Sequence, residues 1–182
     1  MIPKNEARVQ IREKLKNLNN KESLDKILVY NLSKILKSKK KIATYFPLPN
    51  EPNLENLKLF LTDSEFFFPK ILKNSDHKLI FEKGENFTIG MFNIPEPNSK
   101  ISISPLELDA IIVPGLCFSE NGSRLGRGKG YYDKALADLN KEKLIGVTYS
   151  FVFPFAFSEE SHDIKMGSII TELESFFLLD VL

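Results

Sequence analysis

Three short runs, DAIIVP (109–114), LIGVTY (144–149) and SIITE (168–172), are rich in β-branched side chains, and the first two are apolar almost without a break. A strand with one wet face alternates apolar and polar residues, whereas a continuous apolar run belongs to a strand covered on both faces. Residues 131–139, between the first two runs, carry a helical pattern that would supply such cover. Apolar strands separated by helices predict an α/β fold with a mostly parallel central sheet flanked by helices.

The N-terminal half continues the scheme. Residues 3–18 read as an amphipathic helix, with Ala7, Ile11, Leu15 and Leu18 at helical spacing and Pro3 suited to its first turn. Residues 23–37 read as a second helix, with Ser23 as its expected N-cap and Leu24, Ile27, Leu28, Leu32, Ile35 and Leu36 as its apolar stripe. The lysine run KSKKK (37–41) closes that helix, where positive charge suits the helix dipole. KIATYF (41–46) reads as a strand, 53–61 as a short helix, EFFFP (65–69) as a buried strand and KLIFE (78–82) as another. Residues 83–105, rich in Gly, Pro, Asn and Ser, read as irregular surface loop. There is no internal repeat, and 182 residues predict a single domain, 1–182.

Between the strand at 109–114 and the helix at 131 lies a long glycine-rich link, 115–130, holding five of the nine glycines. Loops of this length are uncommon unless they serve a function. It leaves the carboxyl end of a central-looking strand and enters a helix N-terminus, which is where open α/β sheets bind ligands and where free N–H groups favour an anion. Its second half reads RLGRGKGYYD (124–133). Alternating glycines let backbone N–H groups approach oxygens closely, and Arg124, Arg127 and Lys129 add charged donors. Asp133 would suit a magnesium ion bridging phosphates. The order is neither the GxxxxGK[ST] of a P-loop nor GxGxxG. The plainer alternative is a solvated turn whose Asp133 merely complements the helix dipole.

Arginine usage sharpens the choice. The chain has only Arg8, Arg12, Arg124 and Arg127; its other basic residues are lysines. A planar bidentate fork suits phosphate and carboxylate, and two of the four sit in the glycine loop. Other compositional facts mostly exclude. The net charge of +1 gives no sign of a nucleic-acid or membrane partner. A single cysteine, Cys117, rules out an intrachain disulfide and suits a reducing cytoplasm. No apolar run reaches a membrane span, and the charged N-terminal stretch lacks the apolar core of a signal peptide. Cytoplasmic localisation and a monomer are expected.

The stretch DAIIVPGLCFSENGSRLGRGKGYYDKAL resembles the signature of the 5-formyltetrahydrofolate cyclo-ligases, also called methenyltetrahydrofolate synthetases. Further landmarks follow in family order: Lys4, Arg8 and Arg12 in the first helix, IATYFPLPNEPN with Glu51, FPK (68–70), MFNIPEP (91–97), and His162-Asp163 ahead of IITE. The resemblance thus covers essentially the whole chain. It implies conversion of 5-formyltetrahydrofolate to 5,10-methenyltetrahydrofolate with Mg2+ and ATP, releasing ADP and phosphate. The formyl oxygen would be phosphorylated and N10 would then attack that carbon. It also implies roles. Lys4, Arg8, Arg124, Leu125, Gly126, Arg127, Gly128, Lys129, Gly130, Tyr131 and Tyr132 would bind ATP, with Arg127, Lys129 and Asp133 closest to the chemistry. Glu51, Phe92 and Tyr132 would bind the folate, and Asp133 and Asp163 the metal.

Some positions depart from the family pattern. Pro52 and Asn53 follow Glu51, Val152 and Ser158 stand in an altered segment before His162, and Gly167 stands where a second aspartate is frequent. Those departures keep open a non-catalytic folate- or nucleotide-binding protein on the same fold. A nucleic-acid module using KSKKK, Arg127 and Lys129 is the third reading, disfavoured by the near-neutral charge. His77 reads as a surface residue, His162 as a turn residue or an orienter of Asp163, and Cys117 as a small buried hydrophobe.

Overall fold

Neighbouring residues of the central strands fall into two different cores. Ile42, Phe66, Phe68, Ala110, Ile112, Ile145, Val147 and Ile170 join one buried cluster. Ala43, Phe67, Ile111, Val113, Leu144 and Ile169 join the other. The side-chain period of two in a strand does this sorting, and both faces being apolar is what a sandwiched sheet requires.

The structure is a computed structural model that describes residues 1–72 and 78–178. Two helices, α1 (Lys4–Lys16) and α2 (Lys21–Leu36), precede β1 (Lys41–Ala43), the short α3 (Leu57–Phe60), β2 (Glu65–Leu72) and β3 (Lys78–Lys83). Then come β4 (Phe87–Ile89), β5 (Pro95–Pro97), β6 (Ser102–Ile103), β7 (Ala110–Pro114), β8 (Cys117–Phe118), β9 (Arg124–Leu125) and α4 (Tyr131–Ala135). The chain continues through β10 (Leu144–Val147), β11 (Ser168–Ile170) and β12 (Ser175–Phe177). Among the described residues, eight strands form one sheet in the order β12-β11-β10-β7-β1-β2-β3-β6. The run from β11 to β2 is parallel, and β12, β3 and β6 add antiparallel edges. The mostly parallel α/β sheet expected from the sequence is therefore present. Ala7, Ile11 and Leu15 of α1 and Leu28, Leu32 and Leu36 of α2 cover one face. Leu136, just after α4, helps cover the other.

Several local expectations need correction. Ser23 is not the N-cap of α2: Asn20, in left-handed backbone with φ 58°, holds that position, and Ser23 lies inside the helix donating its N–H to Asn20 O. The helix expected over 131–139 ends at Ala135. The segment 83–105 is not irregular throughout, for β4 and β5 form a hairpin and β6 pairs with β3. The glycine link also contains a hairpin, β8 against β9. The strand read over 41–46 begins at Lys41 as expected but ends at Ala43, and the helix read over 53–61 is confined to Leu57–Phe60. His77 lies outside the described residues.

Strand order places the site. From β1 the chain goes to β2 on one side, whereas from β7 it goes to β10 on the other. Neighbouring β1 and β7 thus flank a point where the winding direction reverses, and crevices beyond the carboxyl ends of such strands are the usual ligand sites of α/β sheets.

Candidate active site

A cavity of about 340 Å³ opens at this point. The loop after β1 contributes Tyr45, Phe46, Leu48 and Glu51, and the glycine loop after β7 contributes Arg124, Gly126, Arg127, Lys129 and Gly130. The β4–β5 hairpin brings Met91, Phe92, Ile94 and Glu96, and α4 brings Tyr131 and Tyr132. Stretches far apart in sequence thus converge, with Pro69 and Ile71 of β2 and Leu79 of β3 completing the lining: an apolar slot with a basic, glycine-rich loop and carboxylates at Glu51 and Glu96. Such a mixture, apolar lining with a few placed polar groups, is what a small-molecule site looks like.

Each wall has a local cause. Gly128 has φ +101°, a backbone that L side chains rarely adopt, and it passes beside the Arg8 guanidinium. Arg8 Nε donates to Gly126 O at 2.9 Å, so α1 pins the loop from outside the cavity lining. At the hairpin tip, Phe92 and Asn93 are consecutive left-handed residues with φ 61° and 59°. Backbone of that kind persists only where the surroundings hold it. Phe92 is half exposed and meets Tyr131 with ring centroids 6.3 Å apart. Tyr131 also donates its hydroxyl to Met91 Sδ at 3.9 Å, so the tip leans on the first residue of α4.

The charged groups pair across the chain, Arg124 and Arg127 each with one carboxylate and Lys4 with two. Arg127 Nε donates to Glu51 Oε1 at 2.9 Å, and Glu51 Oε2 accepts the Leu48 N–H. Arg124 Nη2 donates to Asp133 Oδ2 at 2.6 Å, and Nη1 to Pro114 O. Lys4 Nζ donates to Asp163 Oδ1 at 2.6 Å and to Glu160. Burial alone would lower the pKa of Lys4, but its bonds to Asp163 and Glu160 outweigh that and raise it. Burial pushes the Tyr132 phenol well up against the opposing pull of Arg124, and burial with the nearby Glu51 charge does the same to Tyr45. Both phenols are therefore neutral donors at pH 7. The Cys117 thiol, wholly buried, is pushed up to about 12 and takes no part in the cavity.

The residues singled out in the sequence are brought together unevenly. Glu51, Phe92, Arg124, Gly126, Arg127, Lys129, Gly130, Tyr131 and Tyr132 line the one cavity. Leu125 lies in β9 with its side chain fully buried in the core cluster, so only its backbone belongs to the loop. Lys4 and Asp163 meet each other outside the cavity lining. Asp133 and Asp163 belong to separate ion pairs. Glu160, His162 and Asp163 offer ligand atoms within 4.8 Å of one another, with the Lys4 amine bound among them. Asp133 fits a hard cation through Oδ1, which is buried with no hydrogen-bond partner. Glu96 and Tyr45 were not anticipated. The MFNIPEP segment was the available signal for Glu96, and the strand ending in TYF was that for Tyr45.

Comparison with known proteins gives the same answer from outside. Residues 3–172 match the model of the 5-formyltetrahydrofolate cyclo-ligase family. The 5-formyltetrahydrofolate cyclo-ligase of Mycoplasma pneumoniae is 31% identical over 177 residues, covering 94% of this chain and 99% of that protein. A probable 5-formyltetrahydrofolate cyclo-ligase of Schizosaccharomyces pombe is 40% identical over 83 residues, which span 43% of this chain and 41% of that protein. Among solved structures, the NMR structure of Aquifex aeolicus 5,10-methenyltetrahydrofolate synthetase superimposes with a TM-score of 0.83 at 31% identity, covering 98% of this chain and 94% of that one.

Proposed function

We infer that this chain, which belongs to the 5-formyltetrahydrofolate cyclo-ligase family, closes 5-formyltetrahydrofolate to 5,10-methenyltetrahydrofolate at the expense of ATP. The observation that carries the reading is the shared cavity: the basic glycine loop and the Glu51–Phe92 wall, distant in sequence, line one space. A phosphate donor and a flat heterocycle held there would meet. Arg127 and Lys129 would hold the terminal phosphates, with backbone N–H groups of Gly126, Gly128 and Gly130 beside them. Glu51 would accept from the N–H edge of the pterin, and Phe92 and Tyr132 would pack on its ring.

The chemistry is that which the family resemblance implies. The formyl oxygen attacks the γ-phosphorus, an O–P bond forms and the bond to ADP breaks. N10 then attacks the formyl carbon, gives up its proton, and the carbon–oxygen bond breaks to release phosphate. The protein's part is alignment and charge neutralisation, which suits a site of fixed arginines and glycines without a nucleophile–base pair. Asp133, through its free Oδ1, would hold magnesium, and Asp163, whose oxygens accept from Lys4 and the Glu160 N–H, would join it only on release from Lys4; bound there, the ion would offset phosphate charge. We propose a single domain over 1–182, acting as a cytoplasmic monomer on these two small substrates. No described helix is long and apolar enough to cross a membrane.

The test is direct. Purified protein is mixed with 5-formyltetrahydrofolate and Mg-ATP, and the near-ultraviolet band of the methenyl product is followed, with controls lacking ATP or magnesium. A rise that needs both is the expected result. A flat trace from folded protein that still binds the folate would instead favour a binding protein on the same fold.

A further inference from the structure

The arginine expected on phosphate and the carboxylate expected on the pterin are bonded to each other. Arg127 Nε stands 2.9 Å from Glu51 Oε1, and both residues line the cavity. The Glu51 side chain is only 7% exposed, while that of Arg127 is 36% exposed. A carboxylate so buried is costly to leave unpaired, so separating Glu51 from Arg127 carries a cost unless another donor replaces the guanidinium. The converse holds more weakly for Arg127, which can reach water.

We propose that the Arg127–Glu51 pair is a latch coupling the two substrates, so that binding of either one favours binding of the other. This rests on the functional reading above. A pterin N–H edge that bonds Glu51 supplies the donors Arg127 gave, and frees the guanidinium for phosphate. A phosphate that takes Arg127 leaves Glu51 charged and under-bonded, which strengthens its attraction for the pterin donors. Whichever ligand arrives first breaks the pair, and the second binds without that cost. Coupling of this kind is reciprocal, with the same factor in both directions. It also loads the site with both substrates together, so ATP alone is held weakly where water could take its γ-phosphate.

The proposal is tested by calorimetric titration of the full chain with 5-formyltetrahydrofolate and with a non-hydrolysable Mg-ATP analogue, each alone and each in the presence of the other. Wild-type protein should show each ligand tightening the other by the same factor, about 5–150-fold, the usual range for coupled sites. Glu51→Gln should bind the ATP analogue alone several-fold more tightly than wild type, because Arg127 is released, and its coupling factor should fall towards one. Arg127→Gln should do the mirror image: tighter folate alone, weaker nucleotide, coupling near one. If Glu51→Gln does not fold, the Arg127→Gln result decides, since that side chain is partly exposed. A wild-type factor of one overturns the latch. So does a factor that survives in the variants, because it would come from direct contact between the ligands. Failure of wild-type protein to bind either ligand would instead overturn the functional reading, and the latch with it.

Discussion

Arg124 donates to Asp133 Oδ2 at 2.6 Å while the other oxygen of that carboxylate, Oδ1, is buried without a partner. The guanidinium is similarly incomplete: Nη1 and Nη2 are bonded, and Nε is buried without an acceptor. Their side chains are 6% and 16% exposed. The pair therefore both fixes the exit of the glycine loop and leaves one acceptor unused. Asp133→Asn keeps the shape and removes the charge. It leaves Arg124 buried without its counter-ion, which should cost about 3 kcal/mol. For a chain of this size that lowers the melting temperature by about 6–12 °C. Turnover should fall at least about 100-fold, on the scale of losing one electrostatic stabiliser, with folate affinity retained because the change removes charge from the proposed magnesium position and leaves Glu51 and Phe92 in place. Equal turnover by folded Asp133→Asn protein would remove Asp133 from the mechanism.

A second carboxylate holds the middle of the sheet. Asp109 Oδ2 accepts the N–H groups of Lys40 and Lys41 at 2.8 and 2.9 Å, while Asp109 N donates to Lys41 O. It ties the start of β7 to the start of β1, the two strands that flank the site. The backbone bonds from Lys41 and then Lys40 hold its pKa below the ordinary aspartate range. A carboxylate whose pKa is lower folded than unfolded contributes stability above the unfolded value and loses it as pH falls through the folded one. Asp109→Asn should thus cost about 1 kcal/mol at pH 7, a modest figure for a side chain partly open to solvent. In urea titrations the gap between variant and wild type should close below about pH 4. A gap that stays constant to pH 3 would mean the charge is irrelevant.

Gly167 gives a structural reason for one departure from the family pattern. A Cβ built there would stand 2.4 Å from Lys141 O and 2.7 Å from Glu142 Cα, both backbone atoms. The turn that enters β10 is packed directly on the chain entering β11, and Gly167 N donates to Leu144 O. No side chain fits without moving that turn. Gly167→Asp should therefore destabilise by about 1–3 kcal/mol, the usual range for overpacking, and should not raise activity. A variant that is as stable as wild type and more active would show that the departure had weakened the site.

What could be read in advance follows from where the information lies along the chain. The strands β7 and β10 were visible because their apolar runs are local and continuous, and β11 because of its paired β-branched isoleucines. The strands of the β4–β5 hairpin were not, because Phe87–Ile89 and Pro95–Pro97 are three residues each and the second is Pro-Glu-Pro, a sequence with little strand propensity. Asn20 is not marked locally as the cap of α2, because its left-handed backbone is set by the turn after α1. The glycine loop was legible as a motif, for its spacing is local. Its charge partners were not: Arg127 meets Glu51 across 76 positions and Lys4 meets Asp163 across 159. Which cation faces which carboxylate is decided by the sheet order, and no window of sequence contains it.

Lys4 shows what such a long-range pair does. Asp163 is held on both sides, by Lys4 Nζ at Oδ1 and by the Glu160 N–H at Oδ2, and its side chain is 5% exposed. The same start of the chain is stitched to the neighbouring segment by Ile2 O, which accepts the Ser158 N–H. Lys4 therefore clamps the segment before β11 to the base of α1, and α1 in turn places Arg8 on the glycine loop. The bond to the exposed Glu160 contributes little; the bond to buried Asp163 is the one that counts. Because the Lys4 pKa is raised on folding, its contribution is complete below the ordinary lysine range and disappears as pH rises through the raised value. Lys4→Met should cost about 3 kcal/mol, the low end for orphaning a buried charge, and the loss should be constant from pH 6 to 9. Above about pH 10.4 the wild type should begin to lose the same advantage. Denaturant midpoints of the two proteins measured across that range check the sign. Equal midpoints at pH 7 would mean that desolvation cancels the pair and that α1 is held by its apolar face and the Arg8 bond to Gly126 O.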